Sequence, residues 1–291
     1  MVAAGCGPST ATIPEGMSFQ QWRDSRPRDL NRIRKAPQEY KKEFIGGAEL
    51  VEYPSNGSKL KAWLKMPKRL ENATMDRQAN WDSNPELRRA PALVFLHGGF
   101  AFGKGDLSSA RQAITQGYIV MAPMLRGENG NPGNFELFLG EVDDAAAAAR
   151  WLRTHPHVDP ERIYVFGHSV GGGVSAMLSL LDEAPIRHSG SSGGLYPSAV
   201  FDHWSDIVPF EVTPEARKAR LLISNIGMMK RRHFAYLGTE DVMHDAARQA
   251  KSEMAGLADP MLELKMVNGD HFSSFEGSLS EYLRVCAKDD P

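Results

Sequence analysis

The chain has 291 residues, 42% hydrophobic and 24% charged, an ordinary composition for a globular protein with room for one large α/β domain or two small ones. Its 34 basic and 36 acidic residues leave no charge excess of the kind that nucleic-acid or polybasic membrane binding uses, and no apolar run approaches the roughly 18 residues of a membrane span. Cys6 and Cys286 cannot build a disulfide framework, and no C-x-x-C pair points to zinc or redox chemistry.

Residues 1–17 read as a disordered tail. Small residues before Cys6 resemble the end of a bacterial lipoprotein signal without its charged and long apolar parts, so the compartment stays open: cytoplasmic as written, exported if Cys6 closes a truncated signal. Residues 18–44 are strongly charged and broken by Pro27 and Pro37, an arm that Trp22, Leu30, Ile33 and Phe44 would dock. Residues 1–45 are therefore expected to be a tail and arm without chemistry, and 46–291 one catalytic domain.

Runs at 48–53 and 59–66, joined across Asn56-Gly57, predict a hairpin at a sheet edge. Residues 67–91 are polar and irregular, a surface loop. Buried strands follow at 92–96, 118–122 and 163–166, separated by a polar helix near 108–116 and an alanine-rich helix over 140–154, with Val142, Ala146, Ala149 and Leu152 on one face. This alternation is the pattern of βαβ crossovers in a parallel sheet. Beyond Leu181 the rhythm loosens. Residues 189–194 (SGSSGG) read as a flexible loop opening a segment, 189–230, that could cover substrate. A helix over 214–229, a strand at 233–237, a helix at 242–256, a strand at 261–267 and a closing helix at 272–287 complete the chain.

The stretch 162–181 carries the chemistry. Gly167-His168-Ser169-Val170-Gly171 lies between a buried strand and a small-residue helix, the context of a nucleophile elbow. The overlapping Gly171-Gly172-Gly173-Val174-Ser175-Ala176 also fits the G-x-G-x-x-A of dinucleotide-binding turns, but it starts inside the helix rather than at the strand-to-helix turn. A serine needs a histidine base and an acid to orient it, in the chain order serine, acid, histidine, on loops after later strands. His271 follows the strand at 261–267, and Asp241 follows Gly238 at the end of the strand at 233–237. Glu240 is the runner-up acid, with Asp245 and Asp270 behind it, and capping of the next helix is the alternative role for Asp241. The oxyanion requires donors fixed in advance. Val170 N–H is one; Gly99, or else Phe100, after the strand at 92–96 is the second, with His97 bracing that loop. His155-Pro156-His157-Val158-Asp159 looks like a metal run but suits a plain connection, and Arg126 is a salt-bridged residue or part of the pocket rim.

With these residues placed, the chain resembles an α/β-hydrolase of the prolyl-oligopeptidase-like group, which includes acylaminoacyl-peptidase-like and esterase domains. LHGGF at 96–100, RGENG at 126–130, VDPERIYVFGHSVGG at 158–172, YLGTED at 236–241 and NGDHF at 268–272 carry the resemblance, which covers about residues 48–287. It implies an α/β-hydrolase fold, with a mostly parallel central sheet, an antiparallel N-terminal edge and helices on both faces. It also implies a triad of Ser169, Asp241 and His271 and oxyanion donors Gly99 and Val170, without cofactor or metal. Peptidases of the group normally carry an N-terminal propeller, which about 45 residues cannot build, and several place a tyrosine where this chain has His97. The expectation is a serine hydrolase acting on a small-molecule ester. A short-peptide substrate, and a non-catalytic binding scaffold, are the alternatives; the oligomeric state is left unknown.

Overall fold

A computed structural model describes residues 11–40, 45–70 and 89–289. Strands β1 (Glu49–Ser55) and β2 (Ser58–Lys65) form the hairpin, with Ser55 opposite Ser58. Asn56 and Gly57 turn at φ of 45° and 77°, the pair of positive values that a type I′ turn demands. The remaining strands are β3 (Ala90–Leu96), β4 (Ile119–Pro123), β5 (Val158–His168), β6 (Ser189–Ser192), β7 (His233–Gly238) and β8 (Leu262–Val267). One eight-stranded sheet takes the order β1-β2-β4-β3-β5-β6-β7-β8. β1–β2 and β2–β4 pair antiparallel and every other neighbour pairs parallel.

Continuous apolar strands are what a sheet covered on both faces requires. Along β3, Ala92, Val94 and Leu96 enter one core while Leu93 and Phe95 enter the other. Helix α1 (Phe19–Asp24) packs on the first face, where it buries Phe19 and Trp22. On the opposite face α2 (Lys104–Ser109) and α3 (Arg111–Thr115) contribute Leu107 and Ala113. α4 (Gly140–Thr154) and α5 (Ser169–Leu178) return to the first face, where the alanines of α4 permit close approach. α6 (Val200–His203), α7 (Pro214–Arg220) and α8 (His244–Met254) follow, and α9 (Phe275–Cys286) closes the second face with Leu279, Tyr282 and Leu283.

The serine-glycine run at 189–194 departs from its expected loop, because Ser189–Ser192 is the fully buried central strand β6. Its hydroxyls are matched across the sheet: His233 bridges Ser189 at 2.7 Å and Ser191 at 2.9 Å, and Ser192 meets Ser278 at 3.2 Å. Burial pushes His233 down to about 3, so the bridge is a neutral imidazole with one donor and one acceptor nitrogen. A strand stabilised by polar pairing has no hydropathy signature. The helix expected over 214–229 also stops early. Asn225 Nδ2 donates to the carbonyls of Lys218 (2.6 Å) and Leu221 (2.8 Å), closing α7, and two short 3₁₀ turns replace its continuation.

The arm docks differently from its reading. Residues Ala11, Ile13 and Met17 of the expected tail pack against the core, and the Ser18 capping box starts α1. Ile33 is 77% exposed, so backbone pairing holds the next stretch instead. Asn31 and Arg32 donate to Pro209 O, Phe135 to Arg34 O and Ala36 to Gly127 O. Cys6, Phe44 and most of the loop at 67–91 lie outside the described residues. Among the described residues no helix is long and apolar enough to cross a membrane.

Candidate active site

β5 ends at His168 and α5 begins at Ser169, with no intervening loop. Ser169 is held at φ +49°, a left-handed conformation that costs an L-residue roughly 1–2 kcal/mol. The turn closes on Gly171, whose N–H donates to His97 O at 3.0 Å. A Cβ there would sit 2.3 Å from that oxygen, so only glycine fits. This turn places Ser169 just beyond the C-terminal end of β5, an interior strand of the sheet.

Ser169 Oγ lies 2.9 Å from His271 Nε2, and His271 Nδ1 lies 3.0 Å from Asp241 Oδ2. Asp241 is 1% exposed, and its Oδ1 accepts Met243 N–H at 3.0 Å. Burial works against its charge, but the bonds from His271 and Met243 hold the carboxyl below the usual range. The competing carboxylates are elsewhere. Glu240 is exposed, Asp245 pairs with Arg248, and Asp270 Oδ1 accepts from Phe272 N–H, Ser273 N–H and Ser273 Oγ. His168 braces His271 from behind: its Nε2 donates to His271 O at 3.0 Å and its ring lies 5.2 Å from the His271 ring, tilted by 39°. Gly193, at φ +59°, passes so close that a Cβ would lie 2.6 Å from the His271 ring.

Gly99 has φ +69° in the loop after β3, and Phe100 N–H is occupied by Gln38 Oε1 of the arm at 2.8 Å. His97 is buried beneath this loop. Its Nδ1 faces Gly98 O at 3.0 Å and its Nε2 faces Glu128 Oε2 at 3.0 Å, so both ring nitrogens meet acceptors. Glu128 also accepts Phe102 N–H at 2.8 Å and Leu125 N–H, tying the loop after β3 to the loop after β4. Burial opposes the imidazolium, but Glu128 outweighs it and His97 is pushed up to about 9. Because the folded value lies above the free value of about 6.5, the stabilisation is complete below that pH and is lost as pH rises through about 9. Melting curves should therefore show Tm falling by roughly 5 °C between pH 7 and pH 10. Glu128→Gln should abolish most of that fall; an equal fall in the variant would refute the pair as its source.

Arg126 is locked inward by Asp144 (2.9 Å to both Nε and Nη2) and Glu136 (2.6 Å). The His-x-His-x-Asp run leads into β5, at whose start Asp159 accepts from Arg162 Nε at 2.8 Å. Next to Ser169 lies an aromatic cluster. Tyr196 packs on Trp204 (5.1 Å between centroids) and Phe138 (5.3 Å), and Phe100 reaches Trp204 (5.9 Å) and Phe135 (5.6 Å). Beside it is a cavity of about 20 Å³ whose walls include Phe100, Phe135, Phe138 and Val170 together with Arg126 and Glu128, so the salt-bridged Arg126 also borders this space. A void of about 10–15 Å³ on this measure holds one water. Tyr196, His168 and Gln38 have no motif of their own. Tyr196 and Gln38 reach the site from sequence-distant segments and His168 is the variable letter of the elbow, so only the packing reveals their contacts.

This sheet, with a serine elbow after β5 and an acid and a histidine after β7 and β8, defines an α/β-hydrolase fold. Residues 137–265 match a family model described as the α/β hydrolase fold, and residues 27–189, more than half of the chain, match that of the X-Pro dipeptidyl-peptidase (S15) family. The chain belongs to this S15 family, within the prolyl-oligopeptidase-like α/β-hydrolases. It is 34% identical over 141 residues to the uncharacterized peptidase YtmA of Bacillus subtilis, covering 45% of this chain and 50% of that one. It is 28% identical over 195 residues to an acetyl-hydrolase of Streptomyces hygroscopicus, covering 64% and 60%. These matches thus span only about half the length of the curated relatives. In fold it is similar to the Pyrococcus furiosus esterase Pf2001 (TM-score 0.60, 14% identity, 88% of this chain and 97% of that one). A Mycobacterium tuberculosis puromycin-hydrolyzing peptidase is also similar (TM-score 0.64, 18% identity), over 83% of this chain and 40% of that one.

Proposed function

We propose that the protein is a serine hydrolase that cleaves carboxylic esters through an acyl-enzyme. The observation that carries this reading is the unbroken relay from Asp241 through His271 to Ser169 Oγ at 3.0 and 2.9 Å, on a nucleophile held at φ +49°. With Asp241 accepting from Nδ1–H, Nε2 of His271 is the free base that takes the Ser169 proton as Oγ attacks the carbonyl carbon. The N–H groups of Gly99 and Val170 hold the resulting oxyanion. His271 then returns the proton to the leaving alkoxide, and water enters by the same route to release the acid. Residues 46–291 form the catalytic unit in this reading, and Tyr196 and Trp204 bring the 189–230 segment to the substrate.

The cavity beside Gly99 and Val170 favours a short acyl group, since about 20 Å³ accommodates little more than a methyl. An oligopeptidase or amidase with the same relay is the second reading, favoured by the peptidase family match and the Bacillus relative. A fluorophosphonate probe should label the wild-type chain. Absence of labelling on folded protein would favour a non-catalytic scaffold. Across p-nitrophenyl esters, kcat/KM for acetate should exceed that for octanoate by at least about 10-fold. Preference for aminoacyl p-nitroanilides over the acetate ester would replace this proposal by the peptidase reading.

A further inference from the structure

Tyr196 has a ring and a hydroxyl, and packing accounts only for the ring. The side chain is 3% exposed in a cluster whose other nearest rings are Phe138 and Trp204. A phenylalanine would fill the same space, as Phe100, Phe138 and Phe201 do around it. Among the described residues, the hydroxyl's hydrogen-bond partner is Ser169 Oγ itself, at 3.4 Å. A buried hydroxyl needs a partner, and the direction of this bond follows from the relay. His271 Nδ1–H donates to Asp241, so Nε2 accepts the single Ser169 hydroxyl proton, and Tyr196 is left as the donor to the remaining lone pairs of Ser169 Oγ. Burial, the largest influence, holds the phenol proton on well above its usual range, with the bond to Ser169 only partly offsetting it.

The fold explains how the hydroxyl is held there. Tyr196 leaves β6 four residues after Ser192, on the side of β5 that also carries the loops of Asp241 and His271. Gly99 arrives from β3 on the other side. The ring is wedged against α5 at Gly173, where a Cβ would come within 2.9 Å of it and 2.6 Å of Phe138. The hydroxyl is thus fixed before substrate arrives.

We propose that Tyr196 is a further catalytic residue, whose hydroxyl donates to Ser169 Oγ and stabilises the negative charge on that oxygen as its bond to the acyl carbon forms and breaks. The inference rests on the serine hydrolase reading above. In acylation the bond assists transfer of the Oγ proton to His271. In deacylation, Oγ is the leaving group: the carbon–Oγ bond breaks, His271 returns the proton to Oγ, and the Tyr196 proton stays on tyrosine throughout. Hydrogen bonds to charged groups contribute about 1.5–3 kcal/mol.

Tyr196→Phe tests this. The expected result is kcat for p-nitrophenyl acetate lowered about 10–100-fold with KM within about 2-fold, a fluorophosphonate labelling rate lowered by a similar factor, and an unchanged Tm. Labelling reports the same oxygen without acyl turnover, so a purely structural residue would not move it at constant Tm. Should this variant fold poorly, 4-fluorophenylalanine at position 196 keeps the ring and the approximate size of the hydroxyl while removing the donor, with the same losses expected. Either variant folded with kcat and labelling within about 2-fold of wild type would overturn the inference while wild-type turnover left the hydrolase reading intact. A wild type that neither labels nor turns over would overturn that reading first.

Discussion

Ser169→Ala lowers kcat for ester hydrolysis by about 10⁴–10⁶-fold while leaving the fold in place, measured by p-nitrophenyl acetate turnover and thermal unfolding. Acyl transfer in the proposed mechanism runs through one oxygen, and alanine removes it without touching the donors around the substrate. The residual rate then comes from binding and the oxyanion N–H groups alone. The fold is spared because, among the described residues, Ser169 Oγ bonds to the His271 and Tyr196 side chains and to no backbone group. Stability responds instead to the backbone. At φ +49°, Ser169→Gly relieves the left-handed strain and should raise stability by about 1 kcal/mol while abolishing activity equally. An alanine variant turning over at near wild-type rate would place the reaction on another group.

Asp241→Asn should cost about 10⁴ in kcat with little change in KM or Tm. The carboxylate keeps His271 in the tautomer with Nδ1–H, and an asparagine that presents its amide NH₂ to Nδ1 selects the other, whose protonated Nε2 cannot take the Ser169 proton. The fold survives because an asparagine can retain an acceptor for Met243 N–H. Glu240→Gln and Asp270→Asn should each stay within about 2–3-fold of wild type, since Glu240 is exposed and Asp270 is spent on Phe272 and Ser273. Steady-state kinetics on the three variants decide the matter. A loss in Glu240→Gln matching that in Asp241→Asn would break the assignment of the acid.

Much of this arrangement is legible in the amino-acid sequence because its signals are local. Apolar runs of four to eight residues alternating with helices predict the parallel sheet, and Asn56-Gly57 predicts the hairpin. The elbow is legible because its glycines are forced by backbone contact: Gly171 is pressed on His97 O, and no other residue fits. His271 and Asp241 follow from chain order, each after a recognisable strand.

Other features have no local signal. β6 hides as SGSS because its buried polar groups are paid for by His233 and Ser278, partners 42 or more residues away. His168 looks like the variable letter of the motif, yet it holds the His271 backbone. The arm reads as solvated charge, yet Gln38 reaches the loop after β3 and accepts Phe100 N–H. The one-dimensional pattern thus determined the succession of strands other than β6, the elbow, and the residues proposed as nucleophile, base and acid, since each depends on backbone geometry or succession along the chain. Only the tertiary structure decided which side chains complete the site and how much room it leaves. Tyr196, Glu128, Gln38 and the small cavity beside Val170 exist through contacts between distant segments, and neither propensity nor periodicity encodes a distance.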